Sequence, residues 1–279
     1  MSLTGERASE AQRRVDELSW YHTINVLPGV TTKGMFDHRH ALDLIPFPDL
    51  RGKRCLDIGT WDGFYAFELE RRGAAEVVAL DVPDLVNIDY PPAVLADTTF
   101  DRAHTGEQNR NAGFHLLHEI LDSKVIFRPG NIYDLDPAEI GTFDFVLAGS
   151  LLLHLRDPVR ALDAVRKVTT GHYMSVDHLH TPLQLLSRRR PLFELHGVSA
   201  DFQWWLGNDR GLRHLLGVGG FKIEATSKMF LLRPGPHLAK NEIPRKATEL
   251  AQWTSNRAFT GDATVGGHLH RAYLTTPRF

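Results

Sequence analysis

A single cysteine, Cys55, stands in the 279 residues, so an internal disulfide framework and a cysteine-built zinc site are both excluded. Within Arg54-Cys55-Leu56-Asp57 it reads as a buried strand residue, the common fate of a free thiol. No apolar run approaches the ~20 residues that cross a bilayer, so no membrane partner is expected. Behind Met1-Ser2-Leu3-Thr4-Gly5-Glu6-Arg7 there is no apolar stretch of signal-peptide type, and the expected location is the cytoplasm. Neither sign of charge is in excess: 32 Lys plus Arg face 34 Asp plus Glu, a net of −2. That balance argues against a broad non-specific nucleic-acid surface, while a local basic groove stays compatible. Internal repeats and low-complexity segments are lacking too.

What is present is an ordinary globular composition, 42% hydrophobic and 24% charged, in a chain long enough to bury a sizeable core without cross-links. Residues 5–18 are polar and predict a surface helix. Trp20-Tyr21-His22 follows, then a loop marked by Pro28, Gly29 and Gly34, and a second helical stretch around 37–44 closed by Pro46 and Pro48. After Arg51-Gly52-Lys53 short apolar strands alternate with helices. Strands are expected at 55–58, 77–80, 125–128, 143–148 and 172–176, and helices at 64–72, 112–121 and 159–168. This alternation predicts an α/β fold with a mainly parallel sheet wound on both faces. The end breaks the pattern: a helix at 211–216, a strand over 222–232, a loop with Pro234, Pro236 and Pro244, and a last strand near 269–275. The final two strands are expected to pair antiparallel.

The most informative stretch is Leu56-Asp57-Ile58-Gly59-Thr60-Trp61-Asp62-Gly63-Phe64, between the first core strand and its helix. Glycines there let backbone approach a ligand, and the helix N-terminus offers free N–H groups. Asp81 ends the next strand with Val82 beside it, and a carboxylate so placed can accept from both hydroxyls of a ribose. Strand, loop, helix, strand and terminal Asp in order say more than a glycine-rich loop alone.

This arrangement resembles the class I S-adenosylmethionine-dependent methyltransferases, with Asp57, Gly59 and Gly63 at three places of the family's first motif. The resemblance spans about residues 51–177 by motif. It implies a Rossmann-like, doubly wound, seven-stranded sheet with the last strand antiparallel. It divides the chain into an N-terminal helical lid over 1–50 and a core over 51–279, with a substrate-pocket insertion at about 178–221. Trp61 departs from the family, standing where a middle glycine is common. Dinucleotide oxidoreductases need that glycine for a pyrophosphate, so its loss fits a cofactor without phosphates. Asp57, Gly59, Thr60, Gly63, Asp81 and Val82 are the implied cofactor contacts, with S-adenosylhomocysteine as product. Gly130-Asn131-Ile132-Tyr133-Asp134 falls at the adenine position, where Asn131 and Ile132 either meet the base or form a plain turn. Gly149 and Ser150 follow the fourth strand at the carboxyl edge of the sheet. The flanks, Trp20-Tyr21-His22, Phe36-Asp37 and the extended motif, are similar to a subfamily related to tRNA wobble-uridine (carboxy)methyltransferases. That likeness adds Trp20, Lys33 and Phe36 to the cofactor residues. Lys33 matches a lysine that helps bind a carboxylated cofactor there, with a solvated surface lysine as the plainer reading.

Methyl transfer to a hydroxyl benefits from a base, and His154, in the loop after the fourth strand, is the first candidate. Asp177 and His178, in Asp177-His178-Leu179-His180, form the second candidate cluster. With Glu194 and His196 it is compatible with a divalent metal, but the spacing is not diagnostic, a polar loop fits as well, and no metal is assigned. The aromatic cluster Phe202-Gln203-Trp204-Trp205-Leu206-Gly207-Asn208 offers Trp204, Trp205 and Asn208 for substrate, joined by Tyr21 and His22 of the lid. Arg188-Arg189-Arg190 is either a solvated face or a contact for an anionic substrate. The leading expectation is an O-methyltransferase acting on a small polar metabolite, such as a sugar. The alternatives are a tRNA wobble-uridine (carboxy)methyltransferase, which alone brings a nucleic-acid partner, and a non-catalytic cofactor-binding scaffold.

Overall fold

The structure, a computed structural model, describes residues 3–83, 88–96, 111–196, 203–237 and 268–279. Helix α1 (Leu3–Asp16) precedes the short strands β1 (Trp20–His22), β2 (Asn25–Leu27), β3 (Val30–Thr31) and β4 (Gly34–Asp37). The alternating core runs β5 (Arg54–Ile58), α2 (Phe64–Arg71), β6 (Glu76–Asp81), α3 (Pro92–Ala96), α4 (Ala112–Leu121) and β7 (Ile126–Pro129). It continues through α5 (Pro137–Ile140), β8 (Phe143–Gly149), α6 (Pro158–Val168) and β9 (Thr169–His178). Then come α7 (Thr181–Leu186), β10 (Phe193–Leu195), β11 (Trp205–Gly207) and α8 (Asp209–Val218), and finally β12 (Phe221–Thr226), β13 (Phe230–Pro234) and β14 (His268–Pro277).

The strand order β7-β6-β5-β8-β9-β14 places five parallel strands beside an antiparallel one, and β12 pairs with β14 to complete the expected seven. Helices cover both faces. Phe64, Phe67, Phe114, Phe145, Met174 and Val176 form one core, and Leu162, Val165, Tyr173, Leu212, Leu216 and Tyr273 the other. Helix α6 shows why the sequence folds this way. Asp157 caps it by accepting from the Arg160 N–H, Pro158 opens it, and Ala161, Leu162, Val165 and Val168 recur on one buried stripe. Cys55 is buried in the sheet, which pushes its thiol up to about 12. Among the described residues no helix is long and apolar enough to cross a membrane.

Two local expectations change. The strand over 222–232 is broken at Ser227, whose N–H donates to the Ala272 carbonyl and whose hydroxyl accepts from the Ala272 N–H. The resulting β13 pairs with β4, which pairs with β1, so the sheet reaches ten strands among the described residues. The segment before the core is thus less helical than expected. Around 37–44 only a 3-10 turn, Arg39–Ala41, forms, because the Asp37 carboxylate accepts from the Arg39 N–H and clasps its guanidinium. Gly34 lets β4 press against β1, since a β-carbon there would lie 2.2 Å from the His22 carbonyl carbon.

Candidate active site

The loop after β5 is shaped by two glycines at φ 74° and 89°, Gly59 and Gly63, in the region where a side chain is strained. A β-carbon at Gly63 would also sit 2.3 Å from the Phe67 ring. The Gly59 and Thr60 N–H groups donate to the Leu80 carbonyl at 2.8 and 3.2 Å, tying the loop to β6. Asp81 then fixes its crest. One carboxylate oxygen accepts from the Trp61 N–H at 2.8 Å, the other from the Val82 N–H at 2.8 Å. The Asn111 amide, turned to donate, meets the Asp81 carboxylate at 3.2 Å and the Trp61 carbonyl at 3.1 Å.

Beneath this crest Asp57 is 1% exposed, and burial pushes its carboxyl up to about 7. Its Oδ2 and the Thr60 hydroxyl make no well-formed hydrogen bond among the described residues, although Thr60 lies near enough to draw the carboxyl part-way back down. Buried polar atoms are rarely left so, and here they face a loop whose glycines leave the backbone bare. The donor set, with the Asp81 carboxylate at the strand end, fits an amino-acid and ribose ligand. The Gly130 N–H donates to the Asp81 carbonyl, bringing the segment after β7 alongside. There Asn131 caps a 3-10 turn by accepting from the Tyr133 N–H at 3.1 Å, and Ile132 is buried in the core below.

The N-terminal segment is latched to the same loop by Asp62, a residue that motif and spacing do not single out. One Asp62 oxygen accepts from the Tyr21 and His22 N–H groups at 3.0 and 2.8 Å, and the other meets His22 Nδ1. His22 therefore serves the latch and stacks on Phe64, its ring centre 5.2 Å away. Trp20 is core: its indole N–H donates to the Val15 carbonyl and its ring packs over Gly113. Lys33 turns outward to Asp16 at 2.8 Å and is 61% exposed.

Tyr21 and Phe36 do reach the site. Rings follow one another from the loop to the end of β9, Trp61 to Tyr21 (5.3 Å), Tyr21 to Phe36 (5.1 Å), Phe36 to His268 (5.5 Å) and His268 to His178 (5.3 Å). Behind this wall Ser150 stands at φ 49°, its N–H donating to the Val176 carbonyl and its hydroxyl 3.0 Å from His270 Nε2. A β-carbon on the adjoining Gly149 would meet the Tyr65 ring at 2.4 Å, so that glycine serves packing. His154 ends the 3-10 turn Leu152–His154, half-buried and within electrostatic reach of His178. Burial holds His178 well below the usual histidine range.

Asp177 and His178 leave β9 on opposite faces. Neighbouring strand residues face opposite sides, so Asp177 shares the face of Tyr173 and His178 that of Val176. Asp177 accepts from the Ser175 hydroxyl, and burial pushes its carboxyl up to about 6. Glu194 does lie between His180 (3.5 Å) and His196 (3.1 Å), but no group of three His, Cys, Asp or Glu is set to hold a metal among the described residues. Asn208, expected to meet substrate, is a fully buried cap of α8. Its oxygen accepts from Gly211 and Leu192, and its amide donates to the Ser187 and Arg190 carbonyls, which uses its bonding capacity. Trp204 and Trp205 are pinned by their indole N–H groups to the Asp89 and Arg156 carbonyls, beside the His154 turn. Phe202 lies outside the described residues.

Comparison with known proteins agrees with this fold. Residues 56–172 match the family described as Methyltransferase domain. A tRNA U34 carboxymethyltransferase from Campylobacter hominis is 31% identical over 123 residues, 44% of this chain and 34% of that protein, so the chain spans about a third of that relative's length. The N-terminal domain of EvdMO1, solved in the presence of SAH and D-fucose, is 17% identical with a TM-score of 0.51, covering 97% of both chains. The same domain solved with SAH bound gives 16%, 0.51 and 96% of both, a likeness of fold. Residues 56–172 are thus similar to methyltransferase domains, and the chain shares its fold with the N-terminal domain of EvdMO1.

Proposed function

We propose that the protein transfers the methyl group of S-adenosylmethionine to a hydroxyl of a small polar acceptor, with sugars the first class to test. The observation that carries this reading is the far side of the cofactor loop, where the Ser150 hydroxyl and the neutral His178 and His270 lie beside a wall of rings. The outward turn of Lys33 supports a plain methyl rather than a carboxylated group, since that lysine is engaged by Asp16. A sugar acceptor is also consistent with the fold likeness to EvdMO1, whose N-terminal domain was solved in the presence of D-fucose. The tRNA reading keeps the support of the partial C. hominis match and of Arg188, Arg189 and Arg190, which are exposed.

When bound, the cofactor supplies an electrophilic methyl on a sulfonium whose departure leaves a neutral thioether. In this reading Asp81 holds the ribose, and Asp57 receives the ammonium, which draws its raised carboxyl back to the charged form. Tyr21, Phe36 and Trp61 exclude water over the loop. The segment over about 178–221 walls the acceptor, and His154 takes the acceptor's proton as the new C–O bond forms.

The test is turnover with methyl-labelled cofactor against a panel of sugars, D-fucose included, and tRNA transcripts. His154→Ala should lower kcat on an accepted sugar by roughly 10²–10⁴ with SAH affinity unchanged. More than half of wild-type turnover in that variant overturns the base assignment. Turnover of transcripts alone, with strongly salt-dependent binding, favours the tRNA reading. Cofactor binding with no turnover on either favours a scaffold.

A further inference from the structure

The last strand carries a histidine whose two ring nitrogens are both assigned by geometry. His270 Nδ1 lies 2.9 Å from the His268 carbonyl oxygen, which can only accept, so Nδ1 bears the proton. Burial holds His270 down at about 3, so the ring stays neutral and Nε2 is bare. The Ser150 hydroxyl, 3.0 Å from that Nε2, must then donate its only proton to it. The ring cannot swing away, because His178 and Phe230, its register partners on β9 and β13, stack against it at 5.5 and 6.1 Å, with interplanar angles of 28° and 26°. Ser150 in turn is held at φ 49° by its N–H bond to Val176. Its chain neighbour Leu151 adjoins the cofactor loop, since a β-carbon on Gly59 would touch the Leu151 side chain at 3.3 Å.

We infer that His270 is a positioning residue that locks Ser150 as a one-way hydrogen-bond acceptor for the protonated nucleophile of the methyl acceptor. This rests on the proposed methyl transfer to a hydroxyl and adds a selection rule to it. An O–H donor satisfies the locked Ser150 oxygen as the acceptor docks, and the same proton turns to His154 only when the C–O bond forms. The methyl ether formed has no proton to give, so the same oxygen disfavours the product. The device thus separates substrate from product by the presence of one hydrogen.

The first experiment uses the protein alone, histidine-labelled with nitrogen-15. Long-range proton–nitrogen spectra should show His270 neutral and Nδ1-protonated from pH 5 to 8, with its Nε2 signal moving in Ser150→Ala. An Nε2-protonated or titrating His270 overturns the inference. The second uses SAH-loaded protein with D-fucose and an O-methyl-D-fucose as probes. His270→Phe keeps the stacked ring but frees the Ser150 proton. It should leave D-fucose within about threefold, since the freed hydroxyl still accepts, while the O-methyl sugar binds more tightly because Ser150 can now donate to it. Affinity for SAH should stay within twofold. Ser150→Ala should weaken D-fucose about tenfold, the loss of one good hydrogen bond, and the double variant no further. Equal weakening of both sugars, or loss of SAH affinity, marks a merely structural histidine and overturns the inference. If wild type binds neither sugar, the sugar reading fails, and the spectra still decide the tautomer lock.

Discussion

Asp62→Ala tests how the strand before the core is held to the cofactor loop. Three contacts converge on this carboxylate, which is 3% exposed: the Tyr21 N–H at 3.0 Å, the His22 N–H at 2.8 Å and His22 Nδ1. Truncation leaves two backbone donors without an acceptor in a buried place. A bond to a charged group contributes about 1.5–3 kcal/mol, and an orphaned buried donor costs about 1–3 kcal/mol. The contacts share one group and do not add, so a loss of about 3–5 kcal/mol is expected. Asp62→Asn should cost only about 1–2 kcal/mol, because its oxygen still accepts from both N–H groups and its amide can donate to His22 Nδ1. Asp62 lies between Trp61, whose N–H is held by Asp81, and the positive-φ Gly63, so SAH affinity in the Ala variant should fall as well. Urea unfolding near neutral pH and SAH calorimetry measure the two effects. An Ala variant within 1 kcal/mol of wild type and with unchanged SAH affinity would refute the latch. So would an Asn variant as damaged as the Ala variant, since the bonds would then not be the cause.

Three further outcomes are expected. Burial raises Asp57 to about 7, so the folded chain keeps a proton that the unfolded chain has lost, and this group's contribution to stability declines as pH rises from about 4 to about 7. Asp57→Asn should therefore match wild type in urea near pH 4, exceed it by on the order of 2–4 kcal/mol at pH 8 without ligand, and bind SAH less well; equal stability at pH 8 contradicts the argument. Asp81→Ala should weaken SAH by about 1.5–3 kcal/mol in calorimetry through lost charge-assisted bonds, and unchanged affinity removes the ribose assignment. Lys33→Ala should leave S-adenosylmethionine affinity within twofold and cost under about 1 kcal/mol of stability, as an exposed ion pair does; a large affinity loss would return Lys33 to the cofactor site.

The parts legible in the chain are those whose partners lie close along it. Asp57, Gly59, Gly63 and Asp81 fall within one strand-loop-helix-strand unit, and their roles follow from local backbone geometry. The alternation of strands and helices likewise determined the parallel core and its winding, because each element must bury one face. Even the separation of Asp177 from His178 is local, a consequence of the two-residue period once β9 is seen to run through His178. What the tertiary structure alone decided are pairings across long stretches of chain. Asp62 meets His22 over 40 positions, and Ser150 meets His270 over 120. Asn208 looked like a substrate contact in an aromatic run and is a cap, because Ser187, Arg190 and Leu192 fold back to it. Lys33 looked like a cofactor ligand and faces Asp16, because β4 presses its strand edge against β1 and leaves the side chain outside. Residue type and spacing set what each side chain can do; only the folding of distant segments onto one sheet edge sets which partner it finds.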